Sequence, residues 1–277
     1  MPGTNTRLTA LIAALAVFVP GTNCAAPPSR VVTLAPFITE LAFDAGIGDR
    51  VVGVSAYSDY PPAARALPEV SSAAGLSIEK IAALRTDVAF VWRDSVKPEE
   101  IEQLAKLGIR VIVVSARTLV EIPLALETIG DAAGVDVSLP VRGFRDRIAR
   151  LRATYSGRRR LDAFLEIWNR PLTTIAGRHY MNDALEVCGA RNVFADLPGV
   201  TPVVPWESVY ARDPEVVVGA GSAGDRATFE ASWRERSTLA AVKGRRLVYV
   251  HPDTIQRPSL RIVLGITELC EGLDRVR

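Results

Sequence analysis

From Arg30 onward, short runs of β-branched and apolar residues alternate with stretches whose apolar positions recur every three or four residues. The runs Val31–Leu34, Val51–Val54, Asp87–Val91 and Arg110–Val114 predict strands. Between them, Ile38–Ala45, Ile78–Leu84, Pro98–Leu107 and Leu119–Ala133 predict helices. Strands that are apolar throughout must be covered on both faces, which a parallel sheet flanked by helices provides. A second series repeats the alternation, with strands at Asp162–Ile167, Glu215–Val218 and Arg246–Val250 and helices at Met181–Cys188, Ala227–Arg234 and Ser259–Leu273. The predicted fold class is α/β, with two Rossmann-like lobes on parallel central sheets.

Between the two series, Ser138–Tyr155 places Val141, Phe144, Ile148 and Leu151 at helical spacing and arginines on many of the other positions. Pro140 stands near its start and Ser156-Gly157 at its end, the punctuation of one uninterrupted helix. The expected organisation is an N-terminal lobe over 30–135, a single long linker helix over 138–156 and a C-terminal lobe over 160–277.

The first segment has a different character. Arg7 is its only charged side chain, Leu8–Val19 is almost wholly apolar, and Ala25-Ala26 offers small residues for cleavage. Residues 1–26 therefore predict a secretory signal peptide and an extracytoplasmic location, the periplasm. A membrane anchor is disfavoured, because twelve helical residues rise only about 18 Å against a hydrocarbon layer of roughly 30 Å. Lipidation of Cys24 is the weaker alternative, since Gly21-Thr22-Asn23 lacks the usual preceding Leu. Loss of Cys24 by either route leaves Cys188 and Cys270, which an oxidising compartment would pair.

Over its 277 residues the chain is 48% hydrophobic with a net charge of +2, which excludes a disordered polyelectrolyte. Only Lys80, Lys97, Lys106 and Lys243 are lysines, and the arginines are scattered, so no nucleic-acid surface is expected. A small molecule or another protein is the expected partner.

Parallel α/β sheets present ligands beyond the carboxyl ends of their strands. Aromatic residues gather there: Phe37 beside Pro36, Tyr57 and Tyr60, Trp92, Trp168 and Trp206. Each taken singly suits a core as well as a site, but as a set from both lobes they favour a cleft for a large, flat, partly apolar ligand. Asp253 and Arg257 stand four apart in the last loop and could bind ligand amides or pair with each other. Catalytic signatures are missing: there is no G-x-S-x-G, no Walker sequence and no H-E-x-x-H. Gly219-Ala-Gly221-Ser-Ala-Gly224 imitates a dinucleotide fingerprint, yet too little chain follows it for such a domain, and a glycine-rich loop is the better reading. His251 is a lone imidazole without companions at ligand spacing, so neither a metal centre nor a catalytic cofactor is expected.

The segments Arg30–Pro36, Thr39–Phe43, Ser55–Pro62, Val91–Arg93, Leu185–Gly189, Val204–Trp206 and Arg257–Arg261, with the cysteine spacing, resemble the periplasmic cobalamin-binding proteins that serve ABC importers. The resemblance spans about Arg30 to the C-terminus. It implies a helical-backbone (class III), chelatase-like periplasmic binding protein, a monomer that does no catalysis and holds cobalamin between its lobes. It implies ligand contacts from Tyr57, Trp92, Asp253 and Arg257, with Pro36 and Phe37 beside them and a looser match at Trp168 and Trp206. It also implies docking of Glu79 and Glu207 onto arginines of an inner-membrane permease, although a glutamate in a first helical turn has its own electrostatic reason to be there. Ala73 replaces an aromatic of the family pattern, which leaves affinity and the preferred corrinoid open. A siderophore or haem receptor of the same fold, and a secreted chelatase-like enzyme, are the alternatives.

Overall fold

Strand and helix alternate as the apolar pattern requires. The computed structural model describes residues 27–221 and 225–277, so the signal segment, Cys24 and Gly224 lie outside the described residues. The first lobe runs β1 (Val31–Thr33), α1 (Pro36–Asp44), β2 (Val51–Ser55), β3 (Glu69–Ser72), β4 (Gly75–Leu76), α2 (Ile78–Ala83), β5 (Val88–Trp92), α3 (Pro98–Lys106), β6 (Arg110–Val114) and α4 (Glu121–Ala133). After α5 (Ser138–Tyr155) the second lobe runs β7 (Leu161–Glu166), β8 (Trp168–Asn169), β9 (Leu172–Thr173), α6 (Tyr180–Val187), β10 (Ala190–Asn192), α7 (Trp206–Arg212), β11 (Val216–Gly219), α8 (Arg226–Arg234), α9 (Ala240–Lys243), β12 (Leu247–Tyr249), α10 (Pro252–Ile255) and α11 (Ile262–Arg275).

The first sheet has the order β4-β3-β2-β1-β5-β6, parallel except for β4, which turns back antiparallel on β3 at the edge. The second has the order β10-β7-β11-β12 and is wholly parallel. In both, the central strands are buried on both faces, as an apolar run without alternation demands: every side chain of β1 and of β11 is buried. The sequence pattern misses β3, β4 and β10, which are short and lie at or next to a sheet edge, and the β8–β9 hairpin.

The linker helix occupies the expected residues but is more than a strut. Val141, Phe144 and Ile148 are buried in an apolar cluster that runs from Ile38 and Leu41 on α1, through Ile122 and Leu126 on α4, to Leu185 on α6 and Ile266 and Leu269 on α11. Each such side chain removed from water stabilises by roughly 1.5–3 kcal/mol, so one core ties both lobes to the helix between them. Helix α4 stops at Gly134, whose φ of +67° is a left-handed cap that glycine adopts without a side-chain clash.

Two further details explain features that the sequence leaves ambiguous. Cys188, at the end of α6, is bonded to Cys270 on α11 with their Cα atoms 4.7 Å apart. In the glycine-rich loop, a Cβ at Gly219 would strike the Phe229 ring and one at Gly221 would strike the carbonyl of Ile167, so these two glycines serve close packing.

Candidate functional site

The site is assembled from the carboxyl ends of the strands. Pro36 opens α1 directly after β1, and Phe37 is buried behind it. The Phe37 ring meets Trp92, the last residue of β5, edge to face at 6.0 Å. That contact props up a tryptophan that is itself exposed.

Tyr57 is the most unusual residue of the site. It follows β2 with φ at +64°, a left-handed conformation that costs a bulky residue energy, and yet the residue is 78% exposed. A chain of buried hydroxyls holds the turn: Thr33 Oγ1 lies 2.7 Å from Thr39 Oγ1, which donates to Ser58 Oγ at 3.0 Å, and Ser58 Oγ lies 3.0 Å from Ser55 Oγ. The ring is therefore presented by polar contacts built into β1, α1 and β2.

Pro36, Phe37, Tyr57 and Trp92 form one wall of a cavity of about 460 Å³, and Tyr180, Asp253, Arg257 and Pro258 of the other lobe face them. The volume falls in the usual range for small-molecule sites. An adjoining hollow of about 530 Å³ against β6 and α4 shares Trp92, Asp94 and Arg117 with it, extending the cleft along the first lobe.

The two open readings of Asp253 and Arg257 resolve into more than a pair. Arg257 Nη2 lies 3.5 Å from Asp253 Oδ1, but Nη1 also reaches Glu40 Oε1 at 3.2 Å and Asp59 Oδ1 at 2.5 Å, both on the other lobe. The guanidinium hydrogen bond holds the Asp59 carboxyl below the usual carboxylate range. Arg257 is thus committed to bridging the lobes while its remaining surface lines the cavity.

Trp168 and Trp206 do not line this cavity. Trp168 begins the β8–β9 hairpin and donates its Nε1–H to the Arg170 carbonyl at 2.9 Å. Trp206, the first residue of α7, packs on buried Trp233 at 5.2 Å beneath the Arg236 guanidinium at 4.1 Å, so it serves the second lobe's own core. Ala73 lies exposed in the turn between β3 and β4 and is likewise not among the lining residues. Glu79 and Glu207 sit exposed in the first turns of α2 and α7.

Several lining residues escape the sequence reading. Ala116 and Arg117 follow β6 and could have been found by the strand-end rule applied there. Arg178, His179 and Tyr180 precede and open α6, and Val200 and Thr201 come from the long connection before α7; no local signal marks them. His179 caps α6, its Nδ1 accepting the Met181 N–H at 3.2 Å, and burial pulls its pKa down to about 4. Tyr180 Oη donates to the Gln256 carbonyl at 2.6 Å, tying α6 to α10 beneath the cavity.

The chain matches the periplasmic binding protein family over residues 31–254. It is 34% identical to the vitamin B12-binding protein of Photorhabdus laumondii across 90% of this chain and 89% of that one. Its fold superposes on the crystal structure of the periplasmic vitamin B12 binding protein BtuF of Vibrio cholerae with a TM-score of 0.82, at 30% identity, covering 91% of this chain and 99% of that one. A periplasmic heme binding protein from Pseudomonas aeruginosa also superposes, with a TM-score of 0.78 at 25% identity, covering 89% of this chain and 92% of that one.

Proposed function

Because the chain belongs to the periplasmic binding protein family, we propose that it is a solute receptor that captures cobalamin between its lobes and delivers it to an ABC permease of the inner membrane. The observation that carries this reading is the exposed, left-handed Tyr57 standing with Trp92 on the wall of an interlobe cavity. Two exposed rings, one of them held out at a backbone cost, suit a broad ligand with apolar faces, and a corrin ring with amide side chains is such a ligand. Similarity to vitamin B12-binding proteins over nine tenths of the chain supports the same choice.

Capture requires no bond to be made or broken. Tyr57, Trp92, Pro36 and Phe37 supply apolar contact, and Asp253 supplies a half-exposed carboxylate for ligand amides. The core shared through α5, with the Arg257–Glu40–Asp59 bridge, keeps the lobes close to their bound arrangement, which lowers the ordering cost of binding. The protein acts as a monomer in the periplasm, exported by residues 1–26, and the Cys188–Cys270 bridge suits that oxidising compartment. Glu79 and Glu207 make no ion pair among the described residues, and one on each lobe provides two free carboxylates for arginines of the permease.

Calorimetric titration with cyanocobalamin tests this: a saturable one-to-one heat is expected. No heat at tens of micromolar, with saturable binding of haem instead, would transfer the protein to the haem receptors of the same fold.

A further inference from the structure

The charges on the cavity wall are unevenly paired. Arg117 Nη2 contacts Asp94 Oδ2 at 3.1 Å, and Arg257 is held by Glu40, Asp59 and Asp253. Arg178 lines the same cavity, is exposed, and has no ion-pair or hydrogen-bond partner among the described residues. Beside it, His179 is fixed in one chemical form. Its Nδ1 accepts the Met181 N–H, so that nitrogen carries the lone pair and the proton of the neutral ring is on Nε2. The ring also stacks on Tyr180 at 4.1 Å, and Tyr180 is in turn anchored to Gln256. Among the described residues Nε2 has no hydrogen-bond partner, and it is not one of the sealed, unsatisfied atoms, so it remains open to solvent.

A guanidinium and a fixed N–H donor, adjacent in sequence and with no acceptor provided for either, complement an oxyanion. On the reading that the ligand is a corrinoid, we propose that Arg178 and His179 form an oxyanion subsite on the second lobe's wall that takes the phosphodiester of the corrinoid's nucleotide loop. The receptor thereby prefers complete corrinoids to those truncated before that phosphate. His179 contributes a hydrogen bond; with its proton on Nε2 it has no lone pair to offer cobalt from that nitrogen. Burial, which holds the ring neutral down to about pH 4, keeps this arrangement in place at neutral pH.

The test compares cyanocobalamin with dicyanocobinamide, which lacks the nucleotide loop, on the wild-type chain and on Arg178→Gln, His179→Asn and the double variant. Asparagine retains an oxygen able to cap α6 while removing the ring donor. Wild type should bind cyanocobalamin about tenfold to a hundredfold more tightly than cobinamide, the worth of hydrogen bonds to a charged group. The double variant should bring that ratio close to one by weakening cyanocobalamin alone. An unchanged ratio in a folded double variant, or a parallel loss of both ligands, overturns the subsite and leaves the corrinoid reading standing. Haem bound more tightly than either corrinoid, and weakened by Arg178→Gln, would assign the pair to propionate carboxylates and overturn it. Failure of both corrinoids on wild type overturns the corrinoid reading and the subsite together. Aquacobalamin gives a second readout: its visible bands should not move on binding, and a shift abolished by His179→Asn would make the imidazole a cobalt ligand, contrary to the proposal.

Discussion

Glu40, on the first helix of one lobe, accepts a hydrogen bond from Arg261 of the other with Nη2 and Oε1 2.5 Å apart. Glu40 Oε2 also accepts from Ser259 Oγ at 2.5 Å and Oε1 from Arg257 Nη1 at 3.2 Å, and the Glu40 side chain is only 2% exposed. This carboxylate is therefore the buried counter-charge for two arginines whose side chains are each 14% exposed. Removing one member of such a cluster leaves uncompensated charge in a dry place. Glu40→Ala should cost about 3–5 kcal/mol in urea unfolding. Replacing Glu40 and Arg261 together by Met should recover a large part of that loss, because both charges then leave the interior. A cost below about 1 kcal/mol for the single variant would show that the bridge contributes little.

Tyr57 separates stability from binding. At φ +64° a glycine is unstrained, so Tyr57→Gly should leave unfolding free energy unchanged or raise it by about 1 kcal/mol. The same change should weaken cyanocobalamin at least tenfold through loss of the exposed ring. A variant that is destabilised yet binds normally would make the residue structural and remove it from the site.

Legibility of the chain followed the kind of interaction involved. Buried parallel strands and the linker helix were readable because burial on two faces, or on one helical stripe, writes a local pattern: Val31–Leu34 and Ser138–Tyr155 were expected close to where β1 and α5 lie. β3, second from one sheet edge, and the edge strand β10 were not, since their pairing is decided by neighbours and their side chains are partly exposed. At the site, strand-end aromatics Phe37, Tyr57 and Trp92 were visible in sequence, and the structure brings them to one cavity. Trp168 and Trp206 share the strand-end or loop placement but are taken up by a hairpin and by the Trp233 stack. The Glu40–Arg257 contact joins residues 217 positions apart, and no local pattern encodes such a meeting.

The bridge between Cys188 and Cys270 closes a sequence separation of 82 residues. In the chain-entropy account this disfavours the unfolded state by roughly 4.5 kcal/mol. The double variant Cys188→Ala/Cys270→Ala should therefore lose stability by up to about that amount, and a reductant should destabilise the wild type but not the variant. Equal unfolding midpoints with and without reductant would show that the bridge does not form.

His179 makes stability depend on pH. Its native pKa is about 4, below the unfolded value near 6.5, so between these pH values the unfolded chain binds a proton that the native ring refuses. The corresponding stability is intact above about pH 6.5 and is lost as pH falls toward 4, by roughly 3 kcal/mol at most. Urea midpoints of wild type and His179→Asn should converge across that window as pH is lowered from 7. Parallel curves would show that burial does not lower the pKa of this ring in the native state.

Glu79 and Glu207 offer a separation of capture from delivery. Both are exposed, both stand in the first turn of a helix, where the dipole stabilises a carboxylate by a few tenths to about 1 kcal/mol, and neither lines the cavity. Glu79→Ala/Glu207→Ala should therefore lower stability by less than about 2 kcal/mol and leave cyanocobalamin affinity within twofold of wild type. On the proposed docking role, uptake of labelled cobalamin into cells or permease-containing vesicles should fall at least tenfold, because two charge pairs with the permease would be lost at once. Each single variant should retain intermediate uptake, and raised ionic strength should depress the wild type toward the double variant. Full uptake by the double variant would remove both glutamates from the docking surface, while a matching loss of cobalamin affinity would place their effect in the receptor itself.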